Sequence, residues 1–318
     1  MPPTPLTIVN QLGPGIGDRL RAALPDHNVV DQAWNQGAPL PPEATVLFAA
    51  PKIPAGDDGS VNTGWAAQLD WIHVASAGID GIPPALLTSR LATCGRGIQA
   101  APIADWVLAV MLARKRGIPK VWVHEPTTDV GPLIEGLGAV GGTTLGLIGF
   151  GEIGRAVAER ALPFGYRVLA TRRSIAPSAV DGVTTAPLDY VLSQSDVLVV
   201  AAPATAHTRG LLDADTLALV KPGVHLINVA RGELIDHEAL AAALESGVVG
   251  YATLDATEPE PLPAGHPFYS HPAVDISPHI SWADPRTIPG TIDRFVDNVQ
   301  SYLRSEPLLG VVDPAKGY

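Results

Sequence analysis

Residues Thr143–Ser174 read TTLGLIGFGEIGRAVAERALPFGYRVLATRRS. An apolar run (Leu145, Leu147, Ile148) meets Gly149-Phe150-Gly151-Glu152-Ile153-Gly154. A helical Ala/Arg-rich segment follows, and then a second apolar run, Val168-Leu169-Ala170. Strand, glycine turn, helix and strand in this order form the unit that seats a dinucleotide pyrophosphate on a helix N-terminus. Each glycine has a separate task. Gly149 allows the tight turn, Gly151 lets the backbone approach the pyrophosphate, and Gly154 lets the helix lie close to the strand. Glu152 and Ile153 complete the turn. An NAD site usually carries Asp or Glu roughly 20 residues beyond the fingerprint. Here that window holds Thr171-Arg172-Arg173-Ser174. Two guanidiniums and two hydroxyls suit a ribose 2′-phosphate, so NADP(H) is the expected cofactor, with NAD(H) as the alternative.

Working outward, the chain has 318 residues, 46% hydrophobic and 17% charged, enough for two domains with separate cores. A net charge of −11 argues against nucleic acid and anionic membrane surfaces as partners. The single cysteine, Cys94, excludes an intrachain disulfide framework and sits in the apolar setting of a buried strand. No basic, apolar leader opens the sequence, and the apolar stretch near Ile103–Ala113 is too short to span a bilayer. A cytoplasmic protein is expected.

Residues 1–99 alternate short apolar runs (Leu6–Val9, Val29–Val30, Val46–Ala49, Trp71–Ala75, Leu91–Thr93) with turns and helical segments. That spacing predicts a small α/β domain with a mainly parallel sheet. Pro51–Gly64 reads as a loop. Ile103, Trp106, Val107, Val110 and Met111 predict one face of a helix over 101–116 that connects the domains. Strands are predicted at Val197–Ala201, Val224–Val229, Val249–Leu254 and Val274–Ile276. Helices are predicted from near Asp213, from Asp236 and from Asp284-Pro285. The expected division is a discontinuous substrate domain, 1–99 with 286–318, and a dinucleotide-binding domain, 100–285. Both are read as Rossmann-like or flavodoxin-like α/β folds.

Three strand-end segments of the second half concentrate polar side chains: Asn228–Glu233, Leu254–Pro261 and Ile276–Trp282. Ligands gather at the carboxyl ends of strands in open α/β sheets. Arg, Glu and His delivered there supply an anion clamp, an orienting carboxylate and a proton donor. His266 and His271 lack a third ligand at zinc-like spacing, so no metal site is expected.

With GFGEIG, VKPGVHLINVARGELID, LDATEPEPLP and SPHIS in this order, the chain resembles the D-isomer-specific 2-hydroxyacid dehydrogenases, a family that includes glyoxylate/hydroxypyruvate reductases and phosphoglycerate dehydrogenases. The likeness covers roughly residues 70–285. It implies Arg231 as the catalytic arginine, Glu260 as the carboxylate and His279 as the acid/base. Glu258-Pro259 repeats the Glu-Pro pattern two residues before Glu260 and competes for that role. The resemblance also implies substrate contacts from the loop holding Ala77 and Gly78, cofactor contacts near Pro203, Ala230 and Asp255, and a homodimer joined through the nucleotide domains and the segment near Val121–Gly141. Trp282 either walls the substrate pocket or plugs a seam.

The implied chemistry is reduction of a small 2-keto acid. An imidazole titrates near neutrality and so donates a proton readily; a carboxylate on its other nitrogen favours the charged ring. Arg231 would grip the substrate carboxylate and polarise the carbonyl. Departures from the family lie at Asp105-Trp106, where relatives often have Glu-His, and at Ala201-Ala202-Pro203, which lacks a polar residue found in some relatives. The first seventy residues match weakly, and Lys52 is either a substrate-anion contact or a solvated loop lysine. Two other functions compete: an NAD-dependent D-2-hydroxyacid dehydrogenase of the 3-phosphoglycerate type, and a nucleotide-sensing protein like the family's corepressors. No regulatory domain is expected after the tail helix.

Overall fold

Period-two alternation gives the first sheet two apolar faces. In the computed structural model, residues 5–33, 39–53, 68–88, 90–173, 178 and 180–317 are described. The first elements are β1 (Thr7–Asn10), α1 (Pro14–Ala23), β2 (Asn28–Asp31), β3 (Val46–Ala49), β4 (Trp71–Val74), α2 (Pro84–Thr88) and β5 (Leu91–Cys94). The strands pair in parallel in the order β2-β1-β3-β4-β5. Ile8, Val46, Phe48 and Trp71 pack on one face with Leu20 of α1. Val9, Leu47, Ile72 and Val74 pack on the other with Leu86 of α2. Successive strand side chains point to opposite faces, so each strand feeds both layers. Cys94 is buried at the end of β5. Of the expected loop Pro51–Gly64, residues 54–64 lie outside the described residues.

The second sheet follows α3 (Ala100–Lys115) and the short α4 (Gly131–Ile134). It begins with β6 (Thr144–Ile148), α5 (Glu152–Ala161), β7 (Arg167–Thr171), β8 (Val183–Thr185), α6 (Leu188–Gln194) and β9 (Val197–Val200). It continues with α7 (Ala214–Leu217), β10 (Val224–Asn228), α8 (His237–Glu245), β11 (Val249–Leu254) and β12 (Val274–Ile276). All pairs are parallel, in the order β12-β11-β10-β9-β6-β7-β8. The winding reverses between β6 and β9, which opens a crevice at their carboxyl ends. Leu145, Leu147, Val197 and Val199 pack on α3 and α5, whereas Ile148, Leu198, Val200 and Leu226 pack toward α6 and α8.

The chain divides into two compact units, 1–99 with 284–318 and 100–283. The last helix, α9 (Thr287–Leu303), packs in the first unit through Ile292, Phe295 and Val299. The Phe295 ring stacks on Phe48 at 4.3 Å. Its start differs from the sequence expectation. Asp284 does not cap it, because its carboxylate accepts from the Arg286 backbone N–H (2.7 Å) and guanidinium (2.8 and 2.9 Å). The arginine holds the Asp284 carboxyl at about 2, and the helix begins after the turn they form. Asp236 does cap α8, accepting from Glu238 N and Ala239 N at 2.9 and 3.0 Å. Among the described residues no helix is long and apolar enough to cross a membrane.

Each unit buries a neutral histidine. The His73 ring on β4 meets Thr93 Oγ1 at 2.7 Å, and His225 on β10 meets Thr253 Oγ1 at 2.9 Å. Burial, with Arg294 beside His73 and Arg114 and Lys115 beside His225, lowers both to about 3. An unfolded histidine takes a proton near pH 6.5, so the unfolded chain binds more protons between that pH and 3. Stability is therefore lost as pH falls through this window, by about 2 kcal/mol per ring at pH 5. Urea unfolding at pH 7 and pH 5 is expected to show this loss, and His225→Gln to remove about half of it. An unchanged pH dependence in that variant would assign the acid lability elsewhere.

Candidate active site

The glycine turn occupies the crevice where the winding reverses. Gly149 has φ +98, and a Cβ there would lie 2.6 Å from Ala202 N, in the segment leaving β9. A Cβ on Gly154 would lie 2.4 Å from the Gly149 carbonyl oxygen, so α5 needs glycine to sit this close. A Cβ on Gly151 would meet nothing within 4 Å. Gly151 is the N-cap of α5 and offers no side-chain bond to the first-turn N–H groups. Open space above an uncapped helix N-terminus fits a pyrophosphate. Ile153 lies in the first turn of α5, and Glu152 forms an ion pair with Arg155 there.

Thr171 is buried at the end of β7, and Arg172 and Arg173 are exposed just beyond it. Ser174 lies outside the described residues. Pro203 is exposed after β9, and its carbonyl accepts from Thr208 Oγ1 at 2.6 Å. The turn and the cationic strand end fit a nicotinamide dinucleotide.

The Arg/Glu/His segments leave β10, β11 and β12, three neighbours in the sheet. Asn228, fully buried at the end of β10, ties two of them together. Its amide Nδ2 donates to the carbonyls of Arg231 (2.9 Å) and Ala256 (3.3 Å), and its Oδ1 accepts from Ala230 N (3.0 Å). The Arg231 guanidinium in turn donates to the Ala230 carbonyl at 2.7 Å. Gly232 lies directly against Thr257 and Glu258: a Cβ there would be 2.0 Å from the Thr257 carbonyl carbon. The arginine loop and the glutamate loop are thus locked at one backbone contact.

Glu260, and not Glu258, takes the histidine. His279 Nδ1 meets Glu260 Oε1 at 2.8 Å. An ionised carboxylate only accepts, so Nδ1 carries the proton and Nε2 is the atom that exchanges a second one. His279 has φ 54, in the left-handed region, which costs on the order of 1 kcal/mol and persists only where neighbours impose it. Those neighbours are present. Asp255, expected among the cofactor contacts, is 1% exposed, and its carboxylate serves the histidine turn. It accepts from Ser277 Oγ (2.6 Å), Ile280 N (2.9 Å) and Ser281 N (3.0 Å). His279 N donates to the Ser277 carbonyl at 2.9 Å, and Trp282 Nε1 donates to the His279 carbonyl at 2.8 Å. The arrangement is a carboxylate-oriented imidazole on a braced turn, with an arginine at the next strand end but one.

In the other unit, Ala77 and Gly78 sit half-buried in the loop after β4, where Ser76 Oγ donates to the Gly78 carbonyl at 2.6 Å. Asp105 pairs with Arg160 of α5 at 2.6 Å, a structural contact between α3 and α5. Among the described residues no group of three His, Cys, Asp or Glu side chains is placed to hold a metal ion.

Comparison with known proteins agrees with this architecture. Residues 108–281 match the family model of the D-isomer specific 2-hydroxyacid dehydrogenase NAD binding domain. The chain is 31% identical over 309 residues to a glyoxylate/hydroxypyruvate reductase B of Citrobacter koseri, covering 93% of this chain and 95% of that one. It is 28% identical over 315 residues to a glyoxylate/hydroxypyruvate reductase A of Yersinia enterocolitica, covering 94% of each. A D-isomer specific 2-hydroxyacid dehydrogenase of Xanthobacter autotrophicus Py2, solved with NADPH and MES, superposes with a TM-score of 0.83 at 29% identity, over 99% of this chain and 100% of that one.

Proposed function

The chain belongs to the D-isomer specific 2-hydroxyacid dehydrogenase family of NAD(P)-dependent oxidoreductases, and from that premise we propose that it reduces a small 2-keto acid of the glyoxylate or hydroxypyruvate type to the D-2-hydroxy acid, with NADPH preferred. The observation that carries this reading is the 2.8 Å bond between His279 Nδ1 and Glu260 at a strand end of the dinucleotide-binding sheet. A bound nicotinamide would supply the hydride for the substrate C2. His279 gives a proton from Nε2 to the substrate oxygen, and Glu260 stabilises the charged imidazole that gives it. Arg231 grips the substrate carboxylate and polarises the carbonyl as negative charge grows on its oxygen.

For the cofactor, Gly149, Gly151 and Gly154 shape the pyrophosphate seat, with Glu152 and Ile153 in the same turn. Pro203 and Ala230 stand by at the neighbouring strand ends. The NADPH preference rests on Arg172 and Arg173. Charge-assisted bonds to a phosphate contribute about 1.5–3 kcal/mol, so Arg172→Asp is expected to raise the KM for NADPH roughly 10- to 100-fold and to change that for NADH little. Equal effects on both cofactors in steady-state assays would remove the basis for the preference. We further propose a homodimer that covers the exposed apolar side chains Ile118, Trp122, Val123, Val130 and Ile134. Sedimentation at the mass of one 33.1 kDa chain would refute it.

A further inference from the structure

We propose that Trp282 is a positioning residue for His279: its indole N–H holds the His279 carbonyl and thereby fixes the left-handed turn that presents the imidazole to Glu260. The proposal rests on the acid/base role argued above for His279. It differs from a wall role for Trp282, because it acts through the backbone of the histidine and not through the substrate.

In the left-handed conformation His279 departs from any regular ladder, and each backbone polar group needs its own partner. Its N–H has the Ser277 carbonyl at 2.9 Å. The next two N–H groups, of Ile280 and Ser281, have the Asp255 carboxylate at 2.9 and 3.0 Å. The His279 carbonyl has Trp282 Nε1 at 2.8 Å. Asp255 therefore fixes the turn on its far side, and the indole fixes the peptide that leaves the histidine. Water would satisfy this carbonyl equally well but would not fix its direction. Trp282 remains 40% exposed, so apolar burial alone does not account for a side chain of this size here. A rigid indole has only two side-chain torsions to order, which makes it an effective brace. It anchors the turn one residue before the second unit ends at Ala283.

The test compares the full-length wild type with Trp282→Phe, which keeps a ring and removes the donor. Loss of one neutral hydrogen bond predicts a kcat reduced roughly 3- to 10-fold. The KM values for keto acid and NADPH should stay within about twofold, since no ground-state contact is removed. The solvent deuterium isotope effect on kcat should rise, because a poorly aimed imidazole makes proton transfer more limiting. The second readout needs no turnover. In 15N-histidine-labelled protein, the His279 ring signals, assigned with His279→Gln, should broaden or shift in Trp282→Phe. A kcat within about twofold of wild type, a loss confined to KM, or unchanged ring signals would each overturn the brace. If Trp282→Phe does not fold, Trp282→Leu, which likewise lacks a donor, carries the same comparison. A wild type that turns over no keto acid refutes the function proposed above, and the ring signals then decide the brace alone.

Discussion

Replacing His279 by alanine is expected to leave NADPH binding intact while kcat falls about 10²- to 10⁴-fold, the usual contribution of a positioned general acid. The two effects separate because the histidine belongs to the β12 end of the sheet, whereas the glycine turn and the arginine pair follow β6 and β7. Removing the imidazole leaves Glu260 without its 2.8 Å partner. That carboxylate is substantially exposed, so water replaces the lost bond without a large stability cost. Nucleotide fluorescence titration measures the first effect, and steady-state oxidation of NADPH with the best keto acid measures the second. Unchanged turnover would rule out His279 as the proton donor. A parallel loss of nucleotide affinity would show that the variant had disturbed the fold.

Gly232→Ala is expected to damage stability and activity together. The added Cβ would lie 2.0, 2.3 and 2.4 Å from the Thr257 carbonyl carbon, its oxygen and Glu258 N. These are backbone atoms, so no rotamer change relieves the clash. The Arg231 loop and the loop leading to Glu260 must separate. Overpacking of this kind costs about 1–3 kcal/mol, and here more, because two peptide segments have to move. A displacement near 1 Å in a catalytic group costs about 10²-fold in rate, so kcat/KM should fall at least that far. Urea unfolding and kinetics on one preparation check both parts. Wild-type values for both would mean that the contact between the loops is not needed.

Much of the architecture was legible because it rests on local rules. Apolar strands alternating with helices led to two parallel α/β sheets, and the GFGEIG turn lies where the winding of the second one reverses. Asp236 followed the capping rule. Asp284 broke it, because Arg286 two residues later competes for the carboxylate, and propensity does not rank a cap against a nearby guanidinium. The edge strand β8 has three residues, none of them buried, too few to show a period, and α6 is only seven residues long.

The candidate site residues were legible by type and order, but their supports were not. Asn228 stood out only as a polar residue ending an apolar strand. Its three bonds join loops that the sequence lists separately. The buried Asp255 was read toward the cofactor, while its oxygens meet the turn more than twenty residues later. The family resemblance favours Glu260 over its competitor Glu258, and the fold brings Glu260 to the His279 ring. A buried polar residue at a strand end demands partners, and that signal was available; the identity of those partners depended on the tertiary fold.

The most direct measurement is steady-state oxidation of NADPH and of NADH with glyoxylate, hydroxypyruvate, pyruvate, phenylpyruvate and phosphohydroxypyruvate as alternative substrates. The expected result is turnover of glyoxylate or hydroxypyruvate at a kcat/KM well above the other three, and higher with NADPH than with NADH. Tight NADPH binding with no turnover of any of the five would contradict the reductase and favour a nucleotide-sensing role. Turnover of phosphohydroxypyruvate alone, with NADH preferred, would contradict both the substrate class and the cofactor assigned here.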